Sequence, residues 1–130
     1  MKLNPKLEWM LDELRRGLES RGVKFHSDTD TEIVAHLVAE AMAGGKKRED
    51  AVRSALTHLR GAYAIAVVDG DAPQEIVVAK QDSPLVLGVG DGENFAASDI
   101  PALLAHTRDV ILLQDGEMAV ITKERLELMK

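Results

Sequence analysis

The stretch Gly61-Ala62-Tyr63-Ala64-Ile65-Ala66-Val67-Val68-Asp69-Gly70-Asp71-Ala72-Pro73-Gln74-Glu75-Ile76-Val77-Val78-Ala79-Lys80 decides the fold class. Residues 62–68 and 75–80 are apolar runs rich in β-branched side chains. Asp69-Gly70-Asp71-Ala72-Pro73 between them is turn chemistry, so the segment reads as a β-hairpin. The pattern recurs downstream. Residues 85–89 and 95–97 flank Gly90-Asp91-Gly92 as a second pair, and residues 110–113 and 118–121 flank Asp115-Gly116 as a third hairpin. Residues 126–129 read as an edge strand, and Asp99 is placed to cap a short helix through Leu104.

Upstream of this stretch the period is helical. Asn4 can cap a first helix, Pro5 suits its first turn and Gly22 sits where a left-handed stop belongs. Leu7, Met10, Leu11, Leu14 and Leu18 share one stripe of that helix, with Glu8, Glu13, Arg15 and Arg16 largely off it. Residues 23–26 read as a short extended run leading into Ser27-Asp28-Thr29-Asp30-Thr31-Glu32, where Thr29 and Glu32 have capping-box spacing. A second helix rests on Ile33, Val34, Leu37, Val38, Ala41 and Met42 and stops at Gly44-Gly45. A third runs from about Arg48 to Leu59, with Val52, Ala55, Leu56 and Leu59 inward. Helices first, then a hairpin-rich antiparallel sheet with one short helix, make the chain α+β.

Composition narrows function by exclusion. The 130 residues carry a formal net charge of −6 and only 3% aromatics, which argues against a nucleic-acid partner. There is no cysteine, hence no disulfide, thiolate metal site or cysteine nucleophile within these residues. No run approaches the length of a membrane span, and Met1-Lys2-Leu3-Asn4-Pro5 lacks the apolar centre of a signal peptide, so the expected setting is cytoplasmic, with no membrane partner.

The isolated chemical groups favour structural roles. His26, His36, His58 and His106 form none of the paired spacings that bind metal. Ser83 and Ser98 lack the setting of a nucleophile elbow. Gly88, Gly90 and Gly92 come after a strand, but no helix opens beyond them to cradle a phosphate, so a hairpin turn accounts for them. Lys46-Lys47-Arg48-Glu49-Asp50 is mixed in sign and reads as a solvated helix start.

Four segments carry a resemblance. Ser27-Asp28-Thr29-Asp30-Thr31-Glu32 with Ile33 and Ala35-His36-Leu37 resembles the "SETDTEVIAHL" signature of the glucosamine-6-phosphate synthases, the glutamine–fructose-6-phosphate aminotransferases. Leu59-Arg60-Gly61-Ala62-Tyr63-Ala64 resembles their "LxGAYA", and Ser83-Pro84-Leu85-Val86-Leu87-Gly88 their "SPLVIG". Phe95-Ala96-Ala97-Ser98-Asp99 with Ala102-Leu103-Leu104 and Thr107-Arg108 is similar to "FxASDxxALLxxTR". The segments fall in order and at the family's distances.

The resemblance implies the C-terminal part of a class II glutamine amidotransferase domain, within the αββα sandwich of the N-terminal-nucleophile hydrolases. It implies one partial domain over residues 1–130, family-like from about 14 to 128 and unlike the family over 1–12. In that family the domain releases ammonia from glutamine and a second domain passes it to fructose 6-phosphate. The aspartate that holds the α-amino group of glutamine maps onto Asp30. The family's N-terminal cysteine and its "TRWATHG" and "HNGIIEN" segments have no counterpart in these residues. The expectation is therefore one substrate contact, Asp30, with no catalytic residue, cofactor or metal, and no activity of this chain alone. The implied partners are a second copy through an uncovered sheet face or a complementary N-terminal segment. Two alternatives stand beside this reading: one subunit of a split glutaminase, and a non-catalytic glutamine-binding or regulatory module.

Overall fold

The computed structural model describes the backbone from Pro5 to Lys130 and side chains from Trp9 onward; the Asn4 cap and the Leu7 and Glu8 side chains lie outside the described residues. The chain divides into two compact units, residues 1–60 and residues 61–130.

The first unit is helical: α1 (Pro5–Ser20), α2 (Asp30–Ala43) and α3 (Arg48–Leu56). Leu11 and Leu18 of α1 are buried, as are Ile33, Leu37 and Val38 of α2 and Ala51, Val52 and Ala55 of α3. These are the apolar stripes of the sequence. Trp9 is left 68% exposed. Both long helices end in the same way. Val23 N–H reaches back to the Leu18 carbonyl and Gly22 N–H to Glu19, while Lys46 N–H bonds Ala41 and Gly45 N–H bonds Met42. This double bond pattern needs a left-handed residue, supplied by Gly22 at φ +91° and Gly45 at φ +103°. The third helix stops at Leu56, short of the expected Leu59. Its last groups close in tight turns, with His58 N–H on Ala55 and Leu59 N–H on Leu56. Residues 23–26 form no strand.

The second unit holds seven strands: β1 (Tyr63–Asp69), β2 (Ala72–Gln81), β3 (Val86–Val89), β4 (Asn94–Ala97), β5 (Val110–Leu112), β6 (Met118–Ile121) and β7 (Leu126–Met129). They form two antiparallel sheets, ordered β1-β2-β6-β7 and β4-β3-β5, in place of the single sheet that the hairpin pattern suggests. Val78, Ala119 and Ile121 of the first sheet cluster with Leu87 of the second and with Leu113 just beyond β5, and Ile76, Leu85, Ile111 and Leu126 pack around them. The alternate row of the first sheet, Val77, Ala79, Met118 and Val120, is buried as well. The central strands β2 and β6 therefore have no open face. Apolar exposure falls instead on the edge strand β1, whose Ala64, Ala66 and Val68 are exposed, and on residues such as Leu112 and Leu128.

Three local expectations need correction. The first hairpin turns more tightly than its linker suggests: Asp69 pairs with Ala72, and the register slips between Val68 and Asp69. Pro73 falls inside that slip, where its missing N–H costs no regular ladder bond. The third hairpin does not form. β5 pairs with β3 and β6 with β2, so Asp115-Gly116 carries the chain from one sheet to the other. The Asp115 carboxylate explains the crossing: it accepts from Lys80 and from the Asp82 N–H at 2.9 Å, tying the turn to the end of β2. Those bonds hold the Asp115 carboxyl below its usual range. Finally, Asp99 does accept from the Ala102 N–H at 3.0 Å, but the residues beyond it form a run of turns and no helix. Leu103 and His106 bond three residues back, the geometry of tight turns.

The second hairpin forms as read, with Val86 opposite Ala97 and Val89 opposite Asn94. Its Gly90 is sterically required. A Cβ there would lie 2.6 Å from the Glu93 carbonyl oxygen, a backbone atom that cannot yield without opening the hairpin. Gly90→Ala should therefore cost about 1–3 kcal/mol in denaturant unfolding. A loss below about half a kilocalorie, the size of an ordinary surface substitution, would show that the turn relaxes freely.

Candidate functional site

The polar turn between α1 and α2 is built from both sides. From α1, the Arg15 guanidinium donates from Nη1 to the Ser27 carbonyl at 3.1 Å and from Nη2 to the Thr29 carbonyl at 3.3 Å. Its Cζ also lies 4.2 Å over the Phe25 ring, a cation–π contact. From α2, Glu32 reaches back over the turn. Its Oε2 accepts from the His26 N–H at 2.9 Å and its Oε1 from the Ser27 hydroxyl at 2.6 Å. The His36 imidazole, one turn further along α2, meets Oε2 at 2.9 Å and packs edge-on to Phe25 with centroids 4.8 Å apart.

This is not the capping box that the Thr29–Glu32 spacing suggests. Thr29 occupies the N-cap with extended backbone, but its side chain makes no capping bond. Its hydroxyl instead pairs with the Ser27 hydroxyl at 2.8 Å. Glu32 is drawn to the Ser27 hydroxyl and the His26 N–H, together with His36, and these bonds, Ser27 first, lower its pKa from 4.5 to about 2.

Asp30 opens α2 and is exposed. Among the described residues its carboxylate makes no hydrogen bond or ion pair, and neither does that of Asp28 two residues before it, while the side chains of Ser27, Thr29 and Glu32 are tied down. Its charge sits at the positive end of the helix dipole, a favourable place for an anion. Glu32 shares that first turn, but its oxygens are occupied.

A family model described as "Glutamine amidotransferase domain" matches residues 11–105. The chain belongs to the glutamine amidotransferase domain family.

Relatives agree. The glutamine–fructose-6-phosphate aminotransferase (isomerizing) of Thermococcus kodakarensis is 51% identical over 112 residues, covering 86% of this chain and 19% of the relative. That of Gloeobacter violaceus is 50% identical over 116 residues, 89% of this chain and 19% of the relative. That of Aquifex aeolicus is 45% identical over 116 residues, again 89% and 19%. The chain thus spans about a fifth of the length of the aminotransferases that it matches.

The other sequence candidates lie apart from the turn. His106 stacks on Phe95 with centroids 5.1 Å apart, and Gly88-x-Gly90-x-Gly92 belongs to the β3–β4 hairpin. Lys47 caps α3 and Arg48 opens it, as the mixed charge cluster implies. His58 lines a shallow cleft of about 330 Å³ on the helical unit with Arg21, Glu40 and Ser54. Arg21 and Glu40 neutralise each other there at 2.7 Å, so neither charge is left over for a ligand. Among the described residues no group of three or more histidine, aspartate or glutamate side chains could hold a metal ion, and no helix is long and apolar enough to cross a membrane.

Helical periodicity puts Arg15 on the solvated side of α1 and gives no hint of its part in the turn. No local signal marks it, because its two carbonyl partners are twelve and fourteen residues away.

Proposed function

We propose that this chain supplies the substrate-ammonium side of a glutamine-hydrolysing site, with Asp30 accepting the α-amino group of glutamine. The observation that carries the reading is a carboxylate that opens α2, at the positive end of its dipole, with no partner among the described residues. An ammonium group is the complement of such a carboxylate, and a charge-assisted hydrogen bond would hold it. In this reading the chain is part of an αββα sandwich domain of the N-terminal-nucleophile hydrolase type, family-like from about residue 14 to 128. The assembled parent enzyme passes the released ammonia to fructose 6-phosphate.

By themselves these 130 residues hydrolyse no glutamine, because they contain no cysteine to act as the nucleophile. Calorimetric titration with glutamine tests the site. The wild-type chain should give weak binding heat that Asp30→Ala abolishes, and neither protein should release ammonia. Equal heat from both proteins, or none from either, removes Asp30 as the ammonium contact.

A second reading concerns partners. The unpaired edge of β1 supports assembly with another strand, from a second copy of this chain or from a complementary segment that carries the cysteine. The split-glutaminase form predicts ammonia release only when both pieces are mixed.

A further inference from the structure

We propose that Arg15 is a positioning residue for the Asp30 carboxylate, acting through the backbone of the Ser27–Thr29 turn; this rests on the ammonium role of Asp30. The Thr29 carbonyl that takes Arg15 Nη2 at 3.3 Å belongs to the peptide unit joining Thr29 to Asp30. Holding that carbonyl sets the tilt of the peptide plane, and with it the direction in which the Asp30 side chain leaves the helix. The second fork of the guanidinium, on the Ser27 carbonyl at 3.1 Å, stops the turn from rotating about the first. A planar guanidinium can serve two carbonyls at once in fixed geometry, whereas an ammonium group is a single point donor.

This long-range hold matters because the local one is missing. A helix N-terminus is ordinarily fixed by the side chain of its N-cap residue. Thr29 gives its hydroxyl to Ser27 and makes no such bond. The start of α2 is fixed instead by Glu32 from within the helix and by Arg15 from outside it. The two act on different atoms. Glu32 holds the His26 N–H and the Ser27 hydroxyl, and Arg15 holds the Ser27 and Thr29 carbonyls. Phe25 links them, with the guanidinium over its face and His36 against its edge. Arg15 satisfies those carbonyls with its own donors, so it need not touch the substrate to affect it.

The test compares the full 130-residue chain with Arg15→Lys, Arg15→Ala and Asp30→Ala. Glutamine is titrated against each isotope-labelled protein, the Thr29 carbonyl and Asp30 amide resonances are followed, and thermal unfolding is measured in parallel. Arg15→Lys retains the charge, and with it a cation–π contact to Phe25, but loses the planar fork. It should unfold close to wild type yet bind glutamine roughly tenfold more weakly, with the Thr29 and Asp30 resonances displaced before any glutamine is added. Arg15→Ala should lose the same affinity and also some stability. A purely structural Arg15 gives the opposite split: affinity falling only as stability falls, with Arg15→Lys indistinguishable from wild type. That result overturns the proposal. Undisplaced Thr29 and Asp30 resonances in Arg15→Lys overturn it too, whatever glutamine does. A wild-type chain that ignores glutamine, or an Asp30→Ala chain that still binds it, sinks the Asp30 reading itself, a pattern distinct from the other two.

Discussion

Leu87→Ala should destabilise the strand-rich unit by about 3–4 kcal/mol, enough to lower its unfolding midpoint by roughly 10 °C or more. Leu87 has no exposed surface and sits on β3, the central strand of the smaller sheet. It belongs to the cluster that joins Val78, Ala119 and Ile121 of the larger sheet to Leu113 of the chain between the sheets. Removing its branched end forfeits the transfer free energy of those carbons. It also leaves a void that β-branched neighbours, stiff about χ1, fill poorly. Leu104→Ala is the matched control, since that side chain is 46% exposed. Its loss should cost less than about 0.5 kcal/mol. Equal effects of the two substitutions in a denaturant titration would mean that the cluster is not the unit's core.

The parts of the fold legible in sequence are those whose information is local. Helix stripes, the two Gly-stopped helix ends and the β3–β4 hairpin each depend on residues within a turn or two of each other. The pairing of β5 and β6 is illegible for the same reason. Asp115-Gly116 has hairpin chemistry, but its partners are Lys80 and the Asp82 N–H, far upstream in chain order. Met118, Ala119, Val120 and Ile121 are all buried, so both faces of β6 are covered. Burial on both faces shows as an unbroken apolar run, and such a run does not say which strand it joins.

The site divides along the same line. Asp30 is singled out by its place in a family signature alone, and Glu32 stands out for a spacing that implies the wrong bond. The capping box fails because Ser27, two residues before Thr29, offers Glu32 a hydroxyl at 2.6 Å, with the His26 N–H beside it. That choice has a pH signature. With its pKa depressed to about 2 from 4.5, Glu32 contributes stability that is fully present above pH 4.5 and is lost as pH falls toward 2. Acid should therefore loosen the turn that carries Asp30, while changes of pH above about 5 should leave the Glu32 contribution untouched. Following the His26 and Ser27 amide resonances through an acid titration checks both halves of this expectation.

The wild-type chain should sediment as a dimer at high micromolar concentration, and Ala66→Lys should convert it to a monomer of unchanged secondary structure. β1 is the long edge of the larger sheet, and Tyr63-Ala64-Ile65-Ala66-Val67-Val68 contains no charge and no proline. The opposite edge, β7, carries Glu127, with Arg125 before it and Lys130 after it, the kind of charge that discourages edge-to-edge pairing. An antiparallel pairing of two β1 strands centred on Ile65 sets Ala64 against the partner's Ala66 and Tyr63 against the partner's Val67. Alanine then meets alanine, tyrosine meets valine, and no like charges face each other. Ala66 is exposed at the sheet edge, so lysine there costs the monomer little. In the dimer it would lie on the diagonal from its symmetry mate, close enough for two ammonium groups to repel. Leu112→Lys, on an exposed position of the other sheet, should leave the dimer intact. A monomeric wild type would remove self-pairing and leave the edge to a complementary segment. A dimer that survives Ala66→Lys but not Leu112→Lys would move the interface from the β1 edge to the smaller sheet.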